Sequence, residues 1–457
     1  MTSHIPPAAI GSYPLREGNH ACPLIDSANA FNRICEAVEA AAQSVWVTVA
    51  FLNQRFEMPN GRGSVFDVCE KAARRGLDVR FIFWRSAQFN RLEPGTHFHG
   101  LDEQATLLAD RDYQFLARWD ALPGDRCHHQ KSWLVDAGTP REVAFVGGAN
   151  PGAYSVAERG HPEHREGSSH DLYCELRGPA VTDVHHNFVQ RWNEASEKDK
   201  PGGAWPSVKV AGDLPFPDVL SPRAGEARVQ IARTLRKGQY SNPHPAVAAS
   251  SFPVEGGEKS ILAQYLGAIN SAQTSIYIED QYLGSAEVLA ALERALERGV
   301  DVVYLLPGKP NGNFSAARKN TPDAPLFQVL DRLAAFQTFT LAALCSSPPD
   351  GSYCEIHIHA KIAIVDDHWV TIGSCNLSDR SLHSHTEMNA TTWDEGVARK
   401  LHADLLQEHL NIDTGEKSQH AAQKYFHEIA RDNARRRLEQ VPLQGLAYEI
   451  DPRLYGL

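Results

Sequence analysis

The sequence carries no excess of positive charge, no long apolar run and no paired cysteine motif, and each absence removes a class of function. With a formal net charge of −11, the chain is not expected to coat nucleic acid, because binding a polyanion draws on Lys and Arg that neutralise phosphates. Its strand-like apolar runs, of which Val45 to Leu52 is the best, fall far short of the roughly 20 residues that cross a bilayer. The first residues, MTSHIPPAAIGSYPLREG, lack a basic start followed by an apolar segment, so no cleaved secretory signal is expected. A cytoplasmic or peripheral location follows as the expectation, with export by a signal-independent route left open and any membrane met from the water side. Eight cysteines lie far apart without a C-x-x-C pair and read mostly as buried thiols.

What is present is ordinary globular material with a hidden order. Hydrophobic residues make up 42% and charged residues 22% of 457 positions, enough for a substantial core but too long a chain for one, so two domains or a duplicated unit are expected. Self-comparison favours duplication. Ala42-Gln-Ser-Val-Trp-Val47 resembles Ala272-Gln-Thr-Ser-Ile-Tyr277, and Arg75-Gly-Leu-Asp-Val79 resembles Arg298-Gly-Val-Asp-Val302. Each Arg-Gly pair closes a helical pattern with glycine at the stop position and leads into a strand-like run.

The third repeat is chemical. His129-x-Lys131-x-x-x-x-Asp136 matches His359-x-Lys361-x-x-x-x-Asp366, followed by the small-residue turns Gly147-Gly148-Ala-Asn150 and Gly373-Ser374-Cys-Asn376. Strands alternating with helices predict an α/β fold of two pseudo-twofold-related α/β/α sandwich halves. The Pro- and Gly-rich stretch from about Lys198 to Ala227 places the join there. The expected units are residues 1–215 and 216–412, then 413–457 as a C-terminal helix and tail whose Arg435-Arg436-Arg437 cluster reads as a solvated helix face.

If each motif is a strand, His and Lys two residues apart share one side, with Trp133 continuing that face in the first half. Asp136 and Asp366 then fall off the catalytic face and are expected to hold the strand end. The turns at Gly147-Gly148 and Gly373-Ser374 present Asn150 and Asn376 as donors. Two such sets across a dyad would put two imidazoles on opposite sides of one phosphorus, flanked by two ammonium groups and two amides, an arrangement suited to in-line displacement at an active site between the halves. Asp171 and Glu387, each downstream of its own half's turn, are the candidates for fixing the histidine tautomers.

These residues resemble the phospholipase D superfamily, whose signature is a paired H-x-K-x-x-x-x-D followed by G-[GS]-x-N. Val229-Gln-Ile-Ala-Arg233, Gly257-Glu-Lys-Ser-Ile261, Ile276 to Tyr282, and Gly178-Pro-Ala-Val181 with Phe188 to Asn193 resemble its lipid-cleaving branch. The resemblance implies His129 as nucleophile and His359 as general acid, through a phosphohistidine intermediate, with water or an alcohol as acceptor. It further implies a phospholipid substrate at a membrane or micelle surface, a monomer, and no cofactor. Asp280-Gln281-Tyr282-Leu283 departs from the family's usual Asn-Gln followed by two aromatics. A nuclease-type phosphodiesterase, a cardiolipin-synthase-like phosphatidyl transferase and an inactive lipid- or phosphate-binding module remain as alternatives.

The remaining candidates take plainer readings. His128 is expected to pack in the core, His357 to begin a strand, and His383 and His385 to meet solvent. His161-Pro-Glu-His164 reads as a polar loop, and no metal is expected. Phe81 to Trp84 and Tyr277 read as core strands, and the loops Phe89 to His99 and Gly308 to Phe314 as the rim of the pocket. Cys127 and Cys375 sit beside the motifs without a nucleophilic role.

Overall fold

The structure is a computed structural model, described here for residues 3–86, 97–124, 126–152, 155–206, 212–348 and 351–457. Residues 89–96 of the expected rim lie outside the described residues.

One continuous sheet contains both copies of the repeat. In the first half the strands run in the order Leu116–Asp120, Asp78–Trp84, Ser44–Val49, Ser132–Val135, Val143–Gly147, Leu172–Arg177 and Arg16–Ile25. The second half repeats that order in reverse as Ala227–Leu235, Glu387–Trp393, Trp369–Gly373, Lys361–Val365, Ser275–Asp280, Asp301–Leu305 and Phe339–Ser346. The sheets join where Arg16 faces Val229 and Asn19 faces Ala227, so the pseudo-dyad runs between Arg16–Ile25 and Ala227–Leu235. Each half has three parallel strands at its outer end, reached by helical crossovers, and antiparallel hairpins toward the join.

Alternation along the central strands divides the core into layers. Val45, Val47 and Val49 pack with the helices Ser27–Ala40 and Val65–Arg74 in an outer core, and Ile276 and Ile278 pack with Ser260–Ser271 and Ala286–Glu297 in its counterpart. Trp46 and Tyr277 point the other way, into a shared core closed by Val181–Asn193, Glu395–Leu410 and Gln419–Glu439. This shared core spans both halves, which fixes their relative position through apolar burial.

The repeated residues have repeated jobs. The Arg75 guanidinium donates to the carbonyls of Val38 and Glu39, and that of Arg298 to those of Ile269 and Ala272, capping the C-terminal ends of the helices Ser27–Ala40 and Ser260–Ser271. Asp136 and Asp366, both at positive φ of 56° and 53°, accept backbone N–H groups of Ala42 and Gln43, and of Gln273, Thr274 and Ser275. The signature aspartate thus ties its own strand's end to the start of the neighbouring central strand.

The expected join is free of helix and strand from 212 to 226. Two tail features differ from expectation. Ala447–Ile450 adds an edge strand to Phe339–Ser346, which four residues of tail pattern were too short to announce. Arg437 is half-buried rather than fully solvated: it packs 3.8 Å over the Tyr448 ring and donates to Glu355, whereas Arg435 and Arg436 pair with Asp432 on the surface.

Candidate active site

Each motif histidine sits just ahead of its strand rather than within it, since the regular strands begin at Ser132 and Lys361. The reason is a change of backbone partner. The N–H of His129 donates to Thr386 O at 2.8 Å, and that of His359 to His170 O at 2.9 Å. Both acceptors belong to the opposite half. Trp133 accordingly lies in the outer core and does not continue a catalytic face.

The residues following those acceptors complete each histidine. His129 Nδ1 lies 3.0 and 3.1 Å from the two Glu387 carboxylate oxygens and 3.0 Å from Ser374 O. His359 Nδ1 bonds the Asp171 carboxylate. The carboxylates therefore cross the dyad, correcting the assignment of each to its own half. Among the described residues each ring's hydrogen-bond partners stand at Nδ1, an arrangement that favours the hydrogen there and the unprotonated nitrogen at Nε2.

The lysines lie beneath. Lys131 Nζ donates to His129 O at 2.7 Å and Lys361 Nζ to His359 O; both are buried. Gly148 makes room for Asp171, where any Cβ would collide with that carboxylate, and Asp171 also accepts the N–H of Leu172 at 2.8 Å. At the equivalent place in the second half, Ser374 donates its hydroxyl to Glu387 at 2.6 Å. Gly147 and Gly373 end their strands. The side-chain oxygens of Asn150 and Asn376 are buried without a hydrogen-bond partner.

Electrostatics distinguish the halves. Burial, reinforced by Lys131 and opposed by Glu387, lowers His129 to about 4. Burial also lowers Lys131 to about 7 and Lys361 below its usual value. Although burial works against it, the His129 ring holds Glu387 well below the carboxylate range, whereas burial raises Asp171 to about 7 against the pull of Lys361. Burial and both lysines push His359 well down. The result is a neutral His129 backed by an ionised carboxylate, and a His359 whose partner titrates near neutrality.

His129, His359 and Asn376 line one cavity of about 770 Å³ together with Phe51, Trp84, Gln281, Tyr282, Asn311 to Phe314, Ser378 to Ser381 and His385. Asn150 lies outside that lining. Chemically, the arrangement offers a free imidazole nitrogen from each half and buried cationic charge for a phosphoryl group between them.

A family model described as "Cardiolipin synthase, PLD-like domain" matches residues 265–409, and one described as "Phospholipase D" matches residues 155–297. The chain belongs to the phospholipase D superfamily. It is 24% identical to "Phospholipase D alpha 2" of Oryza sativa subsp. japonica over 83% of this chain and 61% of that one. It is likewise 24% identical to "Cardiolipin synthase A" of Pseudomonas aeruginosa, over 86% of this chain and 67% of that one. The chain thus spans about three fifths to two thirds of the length of these relatives. The crystal structure of phosphatidylserine synthase from Haemophilus influenzae Rd KW20 superposes with a TM-score of 0.56 at 13% identity, covering 94% of this chain and 97% of that one, so the two share a fold.

Several residues of this superfamily member depart from their sequence readings. Trp84 and Phe51 line the cavity, although Phe81 and Phe83 are core as expected; an aromatic closing a strand gives no sign of whether the strand's end is covered. His385 also lines the cavity, with its ring 6.2 Å from that of His129, while His383 stands 3.4 Å from Glu287. The rim loop contributes Asn311 to Phe314. His128 is buried, 3.0 Å from Asp120, and His357 lies in the strand Cys354–Ile358. Asp280 is buried, accepts N–H groups of Tyr282 and Leu377, and is raised by burial to about 8. Burial raises the Cys127 and Cys375 thiols well above their usual value. His161 and His164 part company: the first is buried among carboxylates and the second is exposed.

None of the helices among the described residues is long and apolar enough to cross a membrane.

Proposed function

We propose that this chain is a phospholipase D, converting a glycerophospholipid to phosphatidic acid and a free head group, with transfer to alcohols as a side reaction. The observation that carries the reading is the crossed pair of histidine–carboxylate contacts facing one cavity over two buried lysines.

In this reading, Nε2 of the neutral His129 attacks phosphorus while His359 gives its proton to the departing head-group oxygen. The phosphatidyl group is then bonded to His129, and His359 is left neutral. His359 next takes a proton from water or an alcohol, whose oxygen displaces His129 and yields phosphatidic acid or the exchanged lipid. Glu387 and Asp171 orient the two rings, Lys131 and Lys361 supply positive charge beneath the phosphoryl group, and Asn376 bears a phosphoryl oxygen, a part that Asn150, outside the cavity lining, does not share. Entry of the anionic phosphodiester offsets the lysine charge that holds His359 down, which favours its acid form when substrate is bound.

A lipid substrate is supported by Phe51, Trp84 and Phe314 among polar lining groups, and by relatives named for phospholipid chemistry. About 770 Å³ accommodates a head group and glycerol but not two acyl chains, so the chains would extend past these aromatics into the membrane. The acidic net charge argues against a nucleic acid. A phosphatidyl transferase using a lipid alcohol is the second reading, favoured by the match to the cardiolipin synthase model over residues 265–409.

The test is purified chain on phosphatidylcholine, phosphatidylethanolamine and phosphatidylglycerol vesicles, with and without ethanol. Phosphatidic acid and phosphatidylethanol are expected. Cardiolipin from phosphatidylglycerol as the main product would favour the transferase, and no turnover of any lipid would overturn both.

A further inference from the structure

About the join of the halves, away from the residues that line the candidate active-site cavity, three carboxylates and three imidazoles are buried together: Asp26, Glu279 and Glu408 with His161, His170 and His409. We infer that Asp26, His161, His170 and Glu408 form a structural site for a zinc-type divalent metal ion that ties the two halves together.

Four atoms converge. His161 Nε2 is 3.7 Å from both Asp26 Oδ1 and Glu408 Oε1, and His170 Nδ1 is 2.9 Å from Asp26 Oδ1 and 3.8 Å from Glu408 Oε1. Donors about 2.0–2.1 Å from a tetrahedral zinc stand roughly 3.3 Å apart, so the spacing brackets that geometry. Two imidazoles and two carboxylates are a donor set that zinc accepts, and two carboxylates balance its charge.

One of the four converging atoms, and the second oxygen of each carboxylate, are also short of partners. His161 Nε2, Asp26 Oδ2 and Glu408 Oε2 are buried without a hydrogen bond, and burying polar atoms unsatisfied is costly. Both histidines are backed as metal-bound imidazoles commonly are, by an acceptor at the far ring nitrogen. His170 Nε2 is 3.0 Å from Glu279 Oε2, and His161 Nδ1 is 3.3 Å from Glu163 Oε1 and 3.4 Å from Ser168 Oγ. Asp26 and His161 hold positive φ, 59° and 51°, a conformation that costs free energy unless the surroundings require it. Gly160 N–H fixes Glu408 Oε1 at 3.2 Å, and Arg159 Nε stands 3.6 Å from Glu408 Oε2 on the outer side. Glu408 also borders a cavity of about 300 Å³, a path of entry.

The site is built from both halves, with Asp26, His161 and His170 from the first and Glu408 from the second. His170 precedes Asp171, and its carbonyl accepts the N–H of His359, so metal loss would loosen the acid side of the candidate active site as well as the join. The competing occupant is a proton on His170, shared with Asp26 and Glu279.

The test uses the full chain, purified without a polyhistidine tag, stripped with a chelator, and reloaded with zinc before gel filtration and elemental analysis. One zinc per chain is expected in the wild type and in His164→Ala, with loss in His161→Ala and Asp26→Asn. The stripped wild type is expected to melt several degrees lower and to recover on adding zinc. Because the variants could fail to fold, cobalt is loaded into the stripped wild type in parallel, where intense visible bands of a tetrahedral ion are expected. No retained zinc in the wild type, equal zinc in the two ligand variants, or the faint spectrum of six-coordinate cobalt would each overturn the site.

Discussion

Glu387 reaches across the join between the halves to Nδ1 of His129, 3.0 Å away. Asp171 reaches His359 in the opposite sense, so neither half holds a complete histidine–carboxylate pair.

The two carboxylates are expected to fail differently when neutralised. Glu387→Gln offers a donor where His129 donates, disturbing the nucleophile's tautomer, and kcat is expected to fall about 10²- to 10⁴-fold for every substrate. Asp171→Asn disturbs the acid instead. Its defect is expected to be of similar size on phosphatidylcholine but to shrink on a phosphatidyl p-nitrophenol ester, whose leaving group needs no proton. Steady-state kinetics on both substrates checks this, and equal defects of Asp171→Asn on the two would contradict it.

The pH profile follows from burial. His129 must be neutral to attack, and at about 4 it stays neutral well below the ordinary imidazole range. In the proposed mechanism Lys131 acts as a cation, and at about 7 it loses its proton above neutrality. The profile of kcat/KM, which reports the free enzyme, is expected to be a bell whose acid limb lies near 4 and whose alkaline limb combines loss of the Lys131 proton with loss of the proton on the general acid His359, which burial also lowers. Lys131→Arg is expected to remove the Lys131 share of the alkaline limb, leaving a single ionisation from His359, even if the maximum falls.

Asp171 links the site to stability. Its folded value of about 7 lies above the unfolded value near 4, so the folded chain keeps a proton the unfolded chain releases. That contribution is fully present below about pH 4 and is lost as pH rises toward 7. Asp171→Asn, uncharged throughout, is expected to melt at a temperature that falls less than the wild type's between pH 4 and pH 8.

The signature aspartates are expected to matter for folding more than for chemistry. Asp136→Ala or Asp366→Ala leaves several N–H groups of the neighbouring strand's start without their acceptor, at about 1–3 kcal/mol for each that stays buried. Thermal melts are expected to shift down in both, with kcat per folded chain little changed.

Much of this was legible in the sequence because the chemistry is duplicated. His129 and His359 at a shared offset, with Arg75 and Arg298 and with Asp136 and Asp366 in step, announce two α/β halves, and the same helix-capping and strand-anchoring bonds recur in both. The crossing of Asp171 and Glu387 was not legible, since periodicity reports which face of an element a residue takes and not which strand end it meets across a dyad. Trp84 and Phe51 were hidden by the likeness of a cavity wall to a core strand. The group of Asp26, His161, His170 and Glu408 was invisible because its members are scattered over 382 positions of sequence separation, 408 − 26, and only folding brings them together.

The central claim, that His129 attacks a phosphorus held between the two halves, is tested most directly by rapid acid-free quenching of the enzyme with phosphatidylcholine and peptide mass spectrometry. A phosphatidyl adduct on the His129 peptide is expected, accumulating further in Asp171→Asn with a p-nitrophenyl substrate. An adduct on His359 with none on His129, or turnover with no histidine adduct at any time, would contradict the account.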